Sequence, residues 1–204
     1  MCGISGLIQY SGQKVSENKL RSMIAVQRNR GPDDEGYLIK DNWGIGHCRL
    51  AIIDLDTGQQ PMSNLNNTVS ITFNGEIYNY KEIKRELENK GVIFQTNSDT
   101  EVILKGYELL GKKILKKLNG MFSFAISDTR RDEFFLVRDR YGIKPLYYME
   151  NKHSFSFSSN INSFKVLSSK LTTNLNVLPI YFAQSFIPCP DTIYKQVKKL
   201  PPGN

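Results

Sequence analysis

The chain has 204 residues, 40% hydrophobic and 23% charged, which suits one large globular domain or two small ones. No run approaches the ~18 apolar residues of a membrane span, and no charged, apolar, cleavable leader precedes residue 20, so neither a membrane nor a secreted protein is expected. The three cysteines, Cys2, Cys48 and Cys189, form no CxxC pair, which argues against a disulfide framework or zinc site and for a reducing cytoplasm.

In chain order, Gly3–Gln9 reads as a buried strand. Ser16 is a candidate N-cap for a helix whose Leu20, Met23, Ile24 and Gln27 follow helical spacing up to Arg28, and Gly31-Pro32-Asp33-Asp34 then forces a loop. Short strands follow at Gly36–Lys40, Trp43–His47 and Val69–Asn74. A helix over Tyr80–Lys90 ends at Gly91. Ser98 or Asp99 caps the next helix, whose first turn is acidic.

The lysines of GKKILKKLNG alternate with Ile114, Leu115 and Leu118, as on the wet face of a short helix. The net charge of +7 is accompanied by no nucleic-acid motif, so no nucleic-acid partner is expected. Met121–Ser127 reads as a strand covered on both faces. Phe134–Val137, Leu146–Met149 and Phe155–Ser158 add closely spaced strands that suit hairpins. The strand rhythm decays after Ser163, and the Pro-Pro-Gly ending reads as a turn leading onward in a longer protein. Helices fall between groups of strands, so the fold class is α+β with two antiparallel sheets and helices packed outside them.

The chemistry concentrates first at Cys2, which becomes the N-terminal residue once Met1 is trimmed. A free Cys titrates near ~8.5, so its thiolate is scarce at neutral pH. The α-amine of the same residue titrates near ~7.7–8.0 and can take the thiol's proton, giving nucleophile and base in one residue. Arg49 ends a short strand, where its guanidinium fork can meet a carboxylate or a surface acid. Asn74-Gly75 is either a hairpin turn or an oxyanion hole, in which the Asn74 amide and the Gly75 N–H would both donate. Asp99 is either a helix cap or the holder of an ammonium group.

MCGISGLI, RGPD, HCRLAIID, NGEIYNY, SDTEVIL, LNGMFSFAISD and RDRYGIKPLYY, in that order, resemble the glutaminase domain of class II glutamine amidotransferases. The branch is that of glutamine-hydrolysing asparagine synthetase, and the resemblance spans Cys2 to Gly203. It implies a four-layer αββα N-terminal-nucleophile hydrolase fold over residues 1–204, with residues after about 190 leading to an absent C-terminal synthetase domain. It implies that Cys2 attacks the side-chain amide of L-glutamine with its α-amine as base, and that Asn74 and Gly75 hold the oxyanion. Arg49 would bind the substrate α-carboxylate, Glu76 and Asp99 its α-ammonium, and backbone groups of Leu50, Ile52 and Ile53 would line the pocket.

No cofactor or metal is implied for this domain, whereas ATP and magnesium are implied for the synthetase domain that would receive the ammonia. A homodimer is compatible with the resemblance. The chain departs from the family's pattern at Asn29, where His is usual and where Asn cannot titrate. Rival readings are a parent that amidates another carboxylate, such as a sugar acid or β-lactam precursor, and a silent regulatory domain. RDRYGIKPLYY suggests no chemical role.

Overall fold

The computed structural model describes residues 1–168 and 170–204. The chain runs β1 (Gly3–Gln9), α1 (Glu17–Ala25), β2 (Asp34–Ile39), β3 (Trp43–Arg49), β4 (Met62–Ser63), β5 (Val69–Ile77), α2 (Tyr80–Glu88) and α3 (Asp99–Leu110). It continues through β6 (Gly120–Asp128), β7 (Glu133–Arg138), β8 (Tyr147–Glu150), β9 (Ser154–Ser158), α4 (Leu178–Gln184) and β10 (Val197–Lys199). The strands form a six-stranded sheet, β10-β8-β9-β1-β3-β2, and a four-stranded sheet, β4-β5-β6-β7, with every neighbouring pair antiparallel.

The two sheets face each other across an apolar layer. Ile4, Trp43, Ile45 and Phe157 from the larger sheet meet Ala125 of the smaller one, with Phe134 and Leu136 packed against them. The Trp43 and Phe134 rings meet edge to face at 6.0 Å across that layer. Outside the larger sheet, Leu20 and Met23 of α1 pack with Leu7 and Val15. Outside the smaller sheet, Val102, Ile103 and Tyr107 of α3, with Ile83 and Leu87 of α2, cover Val69, Ile71 and Phe73. The result is four layers in the order helix, sheet, sheet, helix. Because both sheets are covered on both faces, β1 and β6 show no apolar–polar alternation.

Local chemistry accounts for the element ends. The Ser16 hydroxyl accepts from Lys19 N at 3.4 Å, capping α1. Gly91, at φ +84°, lies just beyond α2. Ser98 and not Asp99 caps α3, accepting from Glu101 N at 3.2 Å. The Glu101 carboxylate reaches back to Gln95 N and Thr96 N, which fixes the entry to that helix.

Several expectations change. Asn74-Gly75 is not a turn: both residues lie inside β5, paired with Ser123 and Phe122 of β6. The strand rhythm does not end after Ser163, since Val197–Lys199 pairs with β8 as the edge strand β10. The lysine-rich segment is a 3₁₀ turn over Gly111–Lys116 that continues α3. Its charges are partly paired, Lys112 with Glu133 at 2.8 Å, and the neighbouring Lys117 with Glu86 at 2.8 Å.

Candidate active site

Cys2 sits immediately before β1, and its Sγ lies against the backbone of Leu50, just past the end of β3. Leu50 N donates to Sγ at 3.4 Å, and the thiol can donate to Leu50 O at 3.6 Å. Burial pushes the Cys2 thiol above its ordinary value, while the Leu50 N–H and the charges of the N-terminus, Arg49 and Lys144 pull it back. A standing thiolate is therefore disfavoured, and attack needs a base. Neither histidine supplies one. His47 is fully buried, where desolvation lowers it to about 3, and its Nε2 donates to Phe73 O at 3.1 Å. His153 lies exposed on the β8–β9 hairpin.

The period of a strand sets the opposite wall. Val69, Ile71, Phe73 and Ile77 of β5 face the α2/α3 core. The alternate residues, Ser70, Thr72, Asn74 and Glu76, form a polar face turned inward. Thr72 there donates to Gly46 O at 3.3 Å, tying the two sheets together. Asn74 is 1% exposed, and its side-chain Nδ2 has no hydrogen-bond partner. A buried amide donor without an acceptor is costly, by about 1–3 kcal/mol, so its retention marks a place for an incoming acceptor. Beside it, a Cβ on Gly75 would overlap Met121 O. Only glycine leaves β6 in place there.

Arg49, 6% exposed, projects from the end of β3 into the loop that follows. Its Nη1 donates to Leu55 O at 3.0 Å, and its Nη2 donates to Ile53 O at 3.3 Å and to Asp54 O. Three of the five guanidinium N–H groups thus hold the loop, and two remain for a carboxylate. Gly58 is required beside it, because a Cβ there would stand 2.7 Å from Nη2. The Asp54 carboxylate accepts from Thr57 N at 3.0 Å and from Asn97 N at 2.7 Å, binding this loop to the approach to α3.

Because Ser98 takes the cap, the Asp99 carboxylate turns to the cleft and accepts from Ile77 N at 3.0 Å. Burial, with the nearby charge of Glu76, raises Asp99 to about 6. Burial also raises Glu76, opposed by Lys144. Cys2, Arg49, Leu50, Ile52, Ile53, Asn74, Gly75, Glu76 and Asp99 all line one cleft of about 140 Å³. Every residue expected at the site therefore converges there. Asn29, in contrast, is exposed in the turn after α1 and does not line the cleft.

Four contributors were not expected from sequence. Arg30, next to Asn29, donates from Nε to Cys2 O at 3.1 Å and so fixes the backbone of Cys2. Asp33 accepts from Ala51 N at 2.8 Å, and Asp33 N donates to Arg49 O at 2.9 Å, holding the loop that carries Leu50. Asp54 is the third, and Lys144, from the unassigned RDRYGIKPLYY segment, is the fourth. RGPD and HCRLAIID contain three of them. A turn signal hides such roles, because side-chain bonds to distant backbone groups leave no periodicity.

Two face-to-face antiparallel sheets between helical layers, with a thiol at the head of the first strand, define the N-terminal-nucleophile class of amidotransferase fold. The solved glutamine phosphoribosylpyrophosphate amidotransferase from B. subtilis, complexed with ADP and GMP, shares that fold at a TM-score of 0.69 and 24% identity. The match covers 81% of this chain and 43% of that one.

The chain belongs to the glutamine amidotransferase domain family, which it matches over residues 1–204. It is 39% identical to asparagine synthetase [glutamine-hydrolyzing] 1 of Bacillus subtilis, over 100% of this chain and 33% of that protein. It is 45% identical to asparagine synthetase [glutamine-hydrolyzing] 2 of the same organism, over 80% of this chain and 22% of that protein. To asparagine synthetase B [glutamine-hydrolyzing] of Escherichia coli it is 38% identical, over 75% of this chain and 28% of that protein. In each case the chain spans a third or less of the relative's length.

Proposed function

We propose that residues 1–204 form one glutaminase domain, which hydrolyses L-glutamine to L-glutamate and ammonia through a thioester on Cys2. The α-amine of Cys2, free once Met1 is removed, takes the thiol proton, and Sγ attacks the side-chain amide carbon. The tetrahedral oxyanion is held by Asn74 Nδ2 and Gly75 N–H. The protonated α-amine returns its proton to the departing nitrogen, so ammonia leaves and a γ-glutamyl thioester remains. Water, deprotonated by the same amine, then attacks that thioester, and glutamate departs as the thiol is restored. Arg49 pairs with the substrate α-carboxylate, and Glu76 and Asp99 with its α-ammonium. A zwitterionic amino acid needs one such cation and facing anions at fixed separation.

The observation that carries this reading is the unpartnered, buried Asn74 amide in the same cleft as the Cys2 thiol. The ammonia would go to an activated carboxylate, most simply β-aspartyl-AMP, to give asparagine. That acceptor half, with its ATP and magnesium, is assigned to the length by which the relatives exceed this match, and the working compartment to the cytoplasm.

The test is glutamate release by purified protein whose intact mass shows loss of Met1. Cys2→Ala should abolish release without changing the thermal unfolding midpoint. Full turnover by protein that retains Met1 would sink the N-terminal-base mechanism, because an amide nitrogen is not basic.

A further inference from the structure

The segment after β7 is built with unusual care around one side chain. The Asp139 carboxylate accepts from four backbone N–H groups: Phe122 at 3.2 Å, Tyr141 at 3.1 Å, and Ile143 and Lys144 at 3.0 Å. Arg138 donates to the carbonyls of Gly142 at 2.6 Å, Lys144 at 2.8 Å and Leu200 at 2.6 Å. Lys144 is thus held by its own N–H and by its own carbonyl. Its side chain, 4% exposed, enters the cleft that contains Cys2 and Glu76.

Among the described residues no carboxylate lies within 4.0 Å of the Lys144 ammonium, and its one hydrogen-bond partner is the sulfur of Met1, at 3.2 Å. A thioether is a weak acceptor, and buried ammonium groups are ordinarily paired. The ammonium therefore lies against the side chain of Met1, the residue bonded to Cys2 N and the one whose removal the proposed chemistry requires.

We propose that Lys144 is a positioning residue for the nucleophile: once Met1 is gone, its ammonium favours the neutral form of the Cys2 α-amine and the thiolate form of the Cys2 thiol. The proposal rests on the reading of Cys2 as an N-terminal nucleophile. A neighbouring positive charge disfavours an ammonium and favours a thiolate, and this pair of states is the reactive one.

Among the other charged groups around the site, Arg49 also favours the Cys2 thiolate, and Lys144 adds to that effect from the opposite wall of the cleft. Arg30 and Arg49 are bonded to backbone carbonyls. The Asp139 carboxylate is occupied by N–H groups. The Cys48 thiol on β3, pushed up to about 11 by burial, stays neutral. Glu76 shares the cleft with Lys144 and, with Cys2 and Asp139, helps hold the proton on the lysine, which burial alone would loosen.

The test uses Met1-free protein and three variants, Lys144→Met, Lys144→Gln and Lys144→Arg, each checked for cooperative thermal unfolding. Alkylation of Cys2 by iodoacetamide is followed against pH by peptide mass spectrometry, which separates it from Cys48 and Cys189. The pH profile of kcat at saturating glutamine, which leaves out the Asp99 limb of KM, is measured in parallel.

In Lys144→Met the midpoint of Cys2 alkylation and the acid limb of kcat should both move upward by about one pH unit. Lys144→Arg should hold both near their original positions. Lys144→Gln gives the same reading as Lys144→Met if the latter does not fold. Unmoved profiles in either neutral variant, with a change confined to KM, would overturn the proposal. Loss of the glutaminase reading shows itself differently: wild-type protein would release no glutamate, while the alkylation midpoint would still depend on Lys144.

Discussion

At the scale of single residues, the proposed mechanism separates groups that act in the transition state from groups that hold the ground state. Asn74 Nδ2 has no partner in the cleft, which suits the bond to the oxyanion that the proposed mechanism gives it. Asn74→Ala should lower kcat by roughly 10²–10³ with a smaller change in KM, read by steady-state glutamate release. Arg49→Ala should act on KM, and also on stability, because three loop carbonyls lose their donor.

Asp99 gives the pH dependence. In the proposed binding mode it must be ionised to hold the substrate's ammonium, and it is raised from the ordinary 3.8 to about 6. The KM for glutamine should therefore rise as pH falls through about 6, and Asp99→Asn should show a high KM with that limb absent. The stability effect has the opposite sense. The folded state holds the Asp99 proton more tightly than the unfolded chain, so the fold loses stability as pH rises through that window. At pH 7, Asp99→Asn should then gain stability on the order of 1–3 kcal/mol, visible as a higher unfolding midpoint. Cys2, Arg49, Asn74 and Asp99, which line one cleft, could be singled out in the sequence because each is a reactive or polar side chain inside a motif of the family resemblance, which alone gave Arg49, Asn74 and Asp99 their expected roles. Arg30, Asp33 and Asp54 were not, because their chemistry lies in bonds to backbone brought close by the fold.

At the scale of elements, β5 explains why the site could be misread as a turn. Asn-Gly is the strongest short hairpin signal, yet here the flanking strands pair over the whole of Val69–Ile77. The glycine is needed for close approach to β6 and not for a turn. Element types were legible throughout most of the chain, since Gly3–Gln9 emerges with its expected ends and Ser16 caps α1 as read. The edge strands β4 and β10 were missed because two or three residues carry no period.

Close packing between elements makes a further prediction at Gly6. A Cβ there would overlap the Phe157 ring, which fills the layer between the sheets. Gly6→Ala should cost about 1–3 kcal/mol in chemical denaturation, with the slope of unfolding unchanged. Paired with Phe157→Leu the cost should fall below the sum of the two single changes, because the smaller side chain relieves the overlap.

At the scale of the whole molecule, residues 197–204 are packed and hydrogen-bonded onto this fold. Val197 is fully buried in β10, Leu200 N donates to Leu146 O at 2.9 Å, and Gly203 N donates to Asp139 O at 2.9 Å. Arg138 N completes the set, donating to Asn204 O at 2.6 Å. The end of the chain thereby clamps the turn that aims Lys144 into the cleft, more than fifty residues away in sequence. No local pattern announces a contact of that range, and so RDRYGIKPLYY carried no assignable role when read alone. Arg138 is the joint of this clamp, since its guanidinium bridges the carbonyls of Gly142, Lys144 and Leu200. Arg138→Ala removes three charge-assisted bonds at once and should lower stability by about 2–4 kcal/mol. Amide hydrogen exchange should rise selectively at Tyr141–Lys144 and Val197–Leu200, while the β5–β6 pair stays protected. Arg138→Lys should not restore protection, because a single ammonium cannot span three carbonyls in one plane. Equal loss of protection across both sheets would instead place Arg138 among ordinary core supports and separate the chain's end from the positioning of Lys144.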